Sequence, residues 1–103
     1  MNAGEVLQRF DDVGRRFETF HLVFPSAAMM NKATYEKLKD GVREAMGKGD
    51  LPIYGLLLFM GEIVVFTNDD LDDGEIVAGR RSDFMKMPMY SEKFDRLEHQ
   101  LCE

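Results

Sequence analysis

The sequence predicts a single α+β domain spanning residues 1–103, with helices packed on a small, mainly antiparallel sheet. In the N-terminal segment, apolar residues recur every three or four positions, which is typical of an amphipathic helix. The apolar run Ile53–Phe66 is interrupted by Gly55 and Gly61 and followed by an acidic turn, which is typical of two buried strands. The predicted element order is α-β-α-β-β-β-α.

The first predicted helix covers residues 2–20 and begins at Asn2, a residue that favours the N-terminal cap position. Its apolar stripe consists of Val6, Leu7, Phe10, Val13, Phe17 and Phe20. Most charged residues fall off that stripe, and Asp11 is spaced one turn from Arg15 for weak pairing at the surface. This pattern predicts a helix with one wide apolar side.

Two further helices are predicted, at Lys32–Met46 and at Ser91–Cys102. Asn31 is the expected N-cap of the second helix, and Gly47 or Gly49 is its expected stop signal. Gly41 lies inside this helix, so we expect either a close neighbour at that position or a locally weak helix.

The predicted strands occupy the segments between these helices. A short strand runs from Phe20 or His21 to Phe24, because Pro25 disfavours helix at the preceding residue, and residues 26–31 form a connection. The run Ile53–Phe66 forms a hairpin that turns at residues 61–62. Residues 75–79 follow an Asp-Gly turn and form another antiparallel strand, after which residues 80–88 are irregular.

Composition limits the classes of partner. The formal charge of −6 disfavours direct binding to nucleic acid or to an anionic membrane. The apolar run is too short to span a bilayer, and the first residues lack a signal-peptide pattern. Cys102 is the only cysteine, so neither an internal disulfide nor a Cys/His metal spacing exists in this sequence. We expect a cytoplasmic protein.

The acidic turn is the strongest local concentration of charge in the sequence. It contains Asp69, Asp70, Asp72, Asp73 and Glu75. A solvated turn is the simpler interpretation, since like charge keeps small proteins soluble. The alternative is an acidic ridge that occupies a basic, nucleic-acid-binding groove on another protein.

Two apolar features are candidates for a protein-binding surface. The stripe of the first helix carries Phe10 and Phe17, which either pack on the sheet as core or contact a second copy of the chain. The second feature is a methionine-rich segment around Pro88, a residue tolerated in extended structure only at an edge. Such a segment either covers the core or supplies an adaptable interface. Its candidate contact residues are Met85, Met87, Met89 and Tyr90.

The sequence contains no complete motif for catalysis, metal binding or cofactor binding. His21 and His99 lie near no nucleophile motif. The Gly-Lys pair at residues 47–48 lacks the spacing and the following Ser or Thr of a nucleotide loop. The acidic turn fails the spacing of a calcium loop, because Leu71 and Arg80 stand where oxygen ligands belong. We predict that the protein has no catalytic residue, metal or cofactor and is not an enzyme.

Four predicted pieces follow one another in the sequence. An extended segment with a Pro-Ser turn is followed by a helix ending in Leu-Lys-Asp and then by a strand centred on glycine. An acidic turn comes last and leads into a strand that ends at glycine. These pieces are Leu22–Ser26, Lys32–Asp40, Tyr54–Leu56 and Asp69–Gly79. The succession resembles part of tailed-phage major capsid proteins. The chain lacks the long N-terminal arm, extended loop and long spine helix of that family. The resemblance therefore implies a small phage or prophage product with a local βαβ arrangement, acting in the host cytosol.

The leading functional hypothesis is a non-enzymatic module for protein binding or assembly, with another protein or a second copy of itself as partner. The alternative is an acidic inhibitor, such as a phage counter-defence protein, that blocks a basic site on a host complex. A third class is an enzyme that uses His21 with a carboxylate brought near it by folding.

Overall fold

The computed structural model describes residues 1–85, and these form an α+β structure as predicted. The described elements follow the order α-β-α-α-β-β-α. They are α1 (Ala3–His21), β1 (Ala27–Met30), α2 (Lys32–Lys48), α3 (Ile53–Phe59), β2 (Val64–Thr67), β3 (Val77–Gly79) and α4 (Arg81–Met85). The order differs from the prediction at one internal position, where a helix, α3, replaces a predicted strand. The predicted C-terminal helix at residues 91–102 lies outside the described residues.

The sheet contains β1 at its centre, with β2 on one side and β3 on the other. β1 is parallel to β2 and antiparallel to β3, so that Ala28 lies beside both Val65 and Ala78. The sheet is therefore mixed rather than mainly antiparallel. The connection explains the difference, because α2 and α3 lie between β1 and β2 in the chain, and a helical crossover of this kind produces a parallel pair.

Helix α1 begins as the sequence predicts, at a capping box formed by Asn2 and Glu5. The backbone N–H of Glu5 donates to Asn2 Oδ1 over 2.9 Å, and the backbone N–H of Asn2 donates to Glu5 Oε1 over 3.2 Å. The surface position predicted for Asp11 is wrong, since this residue is only 3% exposed. Its Oδ2 accepts a hydrogen bond of 2.7 Å from Arg15 Nε, which raises the pKa of the Arg15 guanidinium.

Helix α2 also confirms its predicted signals. Asn31 Oδ1 accepts from the backbone N–H of Thr34 over 2.7 Å, and Gly49 ends the helix with a positive φ of 73°. Gly41 lies where α1 crosses α2. A Cβ at that position would stand 2.5 Å from the backbone oxygen of Ala3. Of the two explanations offered for this glycine, close packing is the correct one.

The strand predicted at residues 20–24 is wrong, because α1 continues through His21 and the first strand begins only after Pro25. The backbone N–H of Leu22 donates to the carbonyl of Glu18 over 2.8 Å and so closes the last turn of α1. The strand β1 instead occupies residues 27–30, inside the predicted connection. All four of its residues are buried, because the strand is the central one of the sheet.

The hairpin predicted in Ile53–Phe66 is also wrong in its first half. Residues 53–59 form α3, in which the backbone N–H of Leu56 donates to the carbonyl of Pro52 over 2.9 Å. Only the second half, at Val64–Thr67, is a strand. A short, continuous apolar run fits a buried helix as well as a buried strand, which explains the error. Gly55 fits the helix because Leu51 and Leu7 pack closely against its backbone.

The last described segment combines a confirmed strand with an unexpected helical turn. The predicted antiparallel strand after the Asp-Gly turn is present as β3. Residues 81–85 form α4 rather than irregular structure, and the backbone N–H of Arg81 donates to Ser26 Oγ over 2.8 Å. Phe84 packs edge-on against Phe66 of β2, with their ring centroids 5.9 Å apart. These contacts fix the end of the described chain against the sheet.

Candidate protein-binding surface

The end of α1 and the residues that follow it expose large apolar side chains to solvent. Phe20 is 82% exposed and Leu22 is 86% exposed, and Val23 and Phe24 are exposed as well. Leu22 has a φ of 58°, which places a non-glycine residue in the left-handed region at a cost of about 1 kcal/mol. The helix therefore ends in a constrained conformation that leaves a leucine side chain in water.

Helix α3 has one buried and one exposed side, and both are apolar. Tyr54 and Leu58 are buried, whereas Ile53, Leu56 and Phe59 repeat every three residues on the exposed side. Met60, the next residue, is exposed too. The exposed side of a helix normally carries charged residues, yet residues 51–61 contain none.

One aromatic contact joins the segment after α1 to the buried side of α3. The ring of Phe24 packs edge-on against the ring of Tyr54, with their centroids 6.1 Å apart. Burial and the nearby charge of Glu18 raise the pKa of the Tyr54 hydroxyl, which favours its neutral form. We refer to the eight exposed residues as the apolar surface. Its members are Phe20, Leu22, Val23, Phe24, Ile53, Leu56, Phe59 and Met60.

The phenylalanines predicted as contact residues in the first helix do not form this surface. Phe10 is 3% exposed and belongs to the core, so its assignment as a partner contact is wrong. Phe10 is buried because its part of α1 faces the other elements of the fold. Phe17 is half-buried, and its ring lies against the ring of His21 with centroids 4.4 Å apart. Phe20, one turn further on, is the phenylalanine of this stripe that is fully accessible.

The predicted methionine-rich segment is described only at its first residue. Met85 is the last residue of α4. Met87, Met89 and Tyr90 lie outside the described residues. Their assignment as contact residues therefore stays a prediction.

The acidic turn packs against the N-terminal end of α2. Asp69 Oδ1 accepts from the backbone N–H of Lys32 over 3.1 Å. Asp73 Oδ1 accepts from Asn31 Nδ2 over 2.7 Å. Negative charge is favourable at a helix N-terminus, so these two carboxylates stabilise the fold. The side chains of Asp70 and Asp72 make no hydrogen bond within residues 1–85.

Removing the two carboxylates that contact α2 should destabilise the protein. We expect the double variant with Asp69→Ala and Asp73→Ala to lose about 1–2 kcal/mol of unfolding free energy, because two hydrogen bonds at the helix terminus disappear. The matched control, with Asp70→Ala and Asp72→Ala, changes the net charge equally and should stay within about 0.5 kcal/mol. Urea denaturation measures both. Equal midpoints for the two double variants would contradict a structural role for Asp69 and Asp73.

Within residues 1–85, His21 is not grouped with the carboxylate that a catalytic role would need. Its ring packs on Phe17 at the exposed end of α1, and no carboxylate in the described part of the chain forms a hydrogen bond or ion pair with it. Within residues 1–85, no three His, Cys, Asp or Glu side chains are grouped so as to hold a metal ion. An open cleft of about 200 Å³ between α1 and α2 is bordered by Glu44, Lys48 and Asp50, all exposed. Such a solvated cleft lacks the enclosed walls of a ligand site.

Comparisons with protein-family models, with curated proteins and with solved structures found no match to this chain. None of the described helices is long and apolar enough to cross a membrane. The resemblance to capsid proteins therefore stays a prediction from the sequence.

Sequence reasoning missed the part of the apolar surface that lies on α3, because it assigned Ile53, Leu56 and Phe59 to buried strands. One signal in the sequence could have identified them. These three residues repeat every three positions in a segment without charge, which is a helical period rather than the alternation of a strand. When the same segment is taken as a helix, these three residues fall on one side, and the buried residues Tyr54 and Leu58 fall on the other.

Proposed function

We propose that the protein is a non-enzymatic binding module whose apolar surface contacts another protein chain. The observation that carries this proposal is the exposure of eight large apolar side chains in two segments, four of them at the end of α1 and four on α3 and the residue after it. Groups of large apolar side chains left in water are typical of surfaces that bind other proteins.

The acidic inhibitor is supported less well. That function needs a ridge of free carboxylates to replace phosphates in a basic groove. Two of the four aspartates, Asp69 and Asp73, are instead engaged with α2. An inhibitor that binds through the acidic turn remains the second interpretation, and its phage origin, like that of an assembly module, stays a prediction.

Site-specific photo-crosslinking in cells that produce the protein tests the proposal. The photoreactive residue p-benzoylphenylalanine replaces Phe59 in one variant and Leu22 in a second. Because both positions belong to the apolar surface, we expect illumination to give a discrete adduct of higher mass at each. The matched control places the same residue at Glu36, an exposed position of α2 outside that surface, and should give none.

The mass of the adduct identifies the kind of partner. An adduct of about twice the chain mass would indicate a second copy, and any other discrete mass would indicate a different protein. Absence of adducts at both positions, or equal adducts at the Glu36 control, would refute binding through this surface.

A further inference from the structure

The helices α1, α2 and α3 lie on one face of the sheet. Side chains alternate between the two faces along a strand, so Ala28 of β1 and its neighbour Ala78 of β3 point to the same side. Phe10 of α1 borders a small cavity together with these two residues, which places α1 on that side. Helix α2 crosses α1 at Gly41, and α3 packs on α1 at Gly14. The three helices therefore form one layer.

The opposite face of the sheet, which we call the second face, is buried as well. It is formed by Ala27 and Met29 of β1, Val64 and Phe66 of β2, and Val77 and Gly79 of β3. Of these, Met29, Val64 and Phe66 are at most 6% exposed. Within residues 1–85, α4 is the only helix on this side, and it packs the ring of Phe84 on Phe66.

Helix α4 is too small to bury the second face alone. It has 5 residues, which corresponds to a length of about 8 Å. The outer strands of a three-stranded sheet stand about 10 Å apart, and one aromatic ring encloses only part of that width. The burial of the second face therefore needs a further covering element.

The chain leaves the described part of the structure at this face. A Cβ added to Gly79 would stand 3.0 Å from the ring of Phe84, and the backbone N–H of Arg81 donates to Ser26 Oγ over 2.8 Å. These contacts hold α4 against the sheet, and α4 ends at Met85. Residues 86–103 continue from that point. They reach the second face without passing round an edge of the sheet.

The sequence of this segment suits an apolar face. Phe94, Leu97 and Leu101 recur at intervals of three and four in the helix predicted at residues 91–102, so they form one apolar side. The other residues of that helix are mostly charged or polar. Its length would be about 18 Å, which is enough to cross three strands. Residues 86–90 span up to about 17 Å when extended, so the helix can begin at either edge of the sheet.

We propose that residues 86–103 cover the second face of the sheet, with the apolar side of the predicted helix against it. The sheet then lies between two layers of helices. This inference concerns a different face from the proposed binding surface and does not depend on it. It assigns Phe94, Leu97 and Leu101 to the protein's own core, so that a partner contacts the exposed residues of α1 and α3 instead.

Photo-crosslinking within the purified full chain tests the proposal. p-Benzoylphenylalanine replaces Val77, an exposed residue at the edge of the second face. Illumination of a dilute sample should join this position to residues 86–103 of the same molecule, and peptide mass spectrometry locates the crosslink. The matched control places the same photoreactive residue at Met46, a similarly exposed position of α2 on the other side of the sheet. It should give no crosslink to that segment.

A second measurement tests which side of the predicted helix faces the sheet. Phe94→Ala and Leu97→Ala should each lower the urea midpoint by about 1 M or more, because each removes a buried apolar side chain. His99→Ala, on the opposite side of that helix, should shift the midpoint by less than about 0.3 M. Crosslinking from position 77 keeps the natural residues 86–103, so it decides the proposal even if Phe94→Ala or Leu97→Ala prevents folding.

A crosslink from position 77 to residues 86–103 within one molecule, absent from position 46, supports the proposal. A crosslink that joins two molecules would overturn it, because a second copy would then cover the second face. It is also overturned if position 77 gives no crosslink to residues 86–103, if both positions crosslink equally, or if Leu97→Ala and His99→Ala shift the midpoint equally. None of these results changes the adducts expected at Phe59 and Leu22, so failure here is distinguishable from failure of the binding function.

Discussion

Replacing Leu58 by alanine should lower the free energy of unfolding by about 2–4 kcal/mol, whereas Leu56→Ala should change it by less than about 1 kcal/mol. Leu58 is 6% exposed and packs in the core, while Leu56 is 39% exposed. The two residues lie two positions apart, which in a helix directs them to different sides. Deletion of the buried side chain leaves a cavity, and deletion of the exposed one does not.

The same pair of variants distinguishes the helix from the strand predicted for this segment. In a strand, residues two positions apart share one face, so both substitutions would then cost a similar amount. Urea denaturation at low protein concentration measures the difference without a contribution from association. Similar losses for Leu56→Ala and Leu58→Ala would contradict the structure of α3.

Local capping signals made the two long helices predictable. Asn2 with Glu5 and Asn31 with Gly49 are short-range combinations whose hydrogen bonds form within a few residues. The period of the apolar residues between these signals then identifies the element as a helix. The Asp-Gly turn before β3 is a local signal of the same kind.

The elements that were predicted wrongly depend on contacts between residues that are distant in the sequence. The strand β1 is built from Ala27 to Met30, residues with weak strand preference, and it is fixed by neighbours in β2 and β3. The burial of Asp11 and the exposure of Phe59 also follow from how whole elements pack. A single sequence gives no direct measure of that packing, so it left the core and contact alternatives for Phe10 open and did not predict the composition of the apolar surface.

Gly41→Ala should destabilise the protein by about 2 kcal/mol, although alanine is the better helix former by about 1 kcal/mol. The added Cβ would stand 2.5 Å from the backbone oxygen of Ala3 and 3.1 Å from Leu7 Cβ. A backbone atom cannot move aside as a flexible side chain can, so α1 must shift away from α2. Overpacking of this kind costs up to about 3 kcal/mol, which exceeds the gain in helix propensity.

Gly47→Ala in the same helix provides the matched control for that prediction. A Cβ at position 47 would meet nothing within 4 Å, so the propensity term acts alone and should stabilise the protein by about 0.5–1 kcal/mol. The two substitutions are chemically identical, and their urea midpoints should move in opposite directions because only Gly41 lies at the crossing of two helices. Stabilisation by both variants would mean that α1 does not approach α2 as closely as the structure describes.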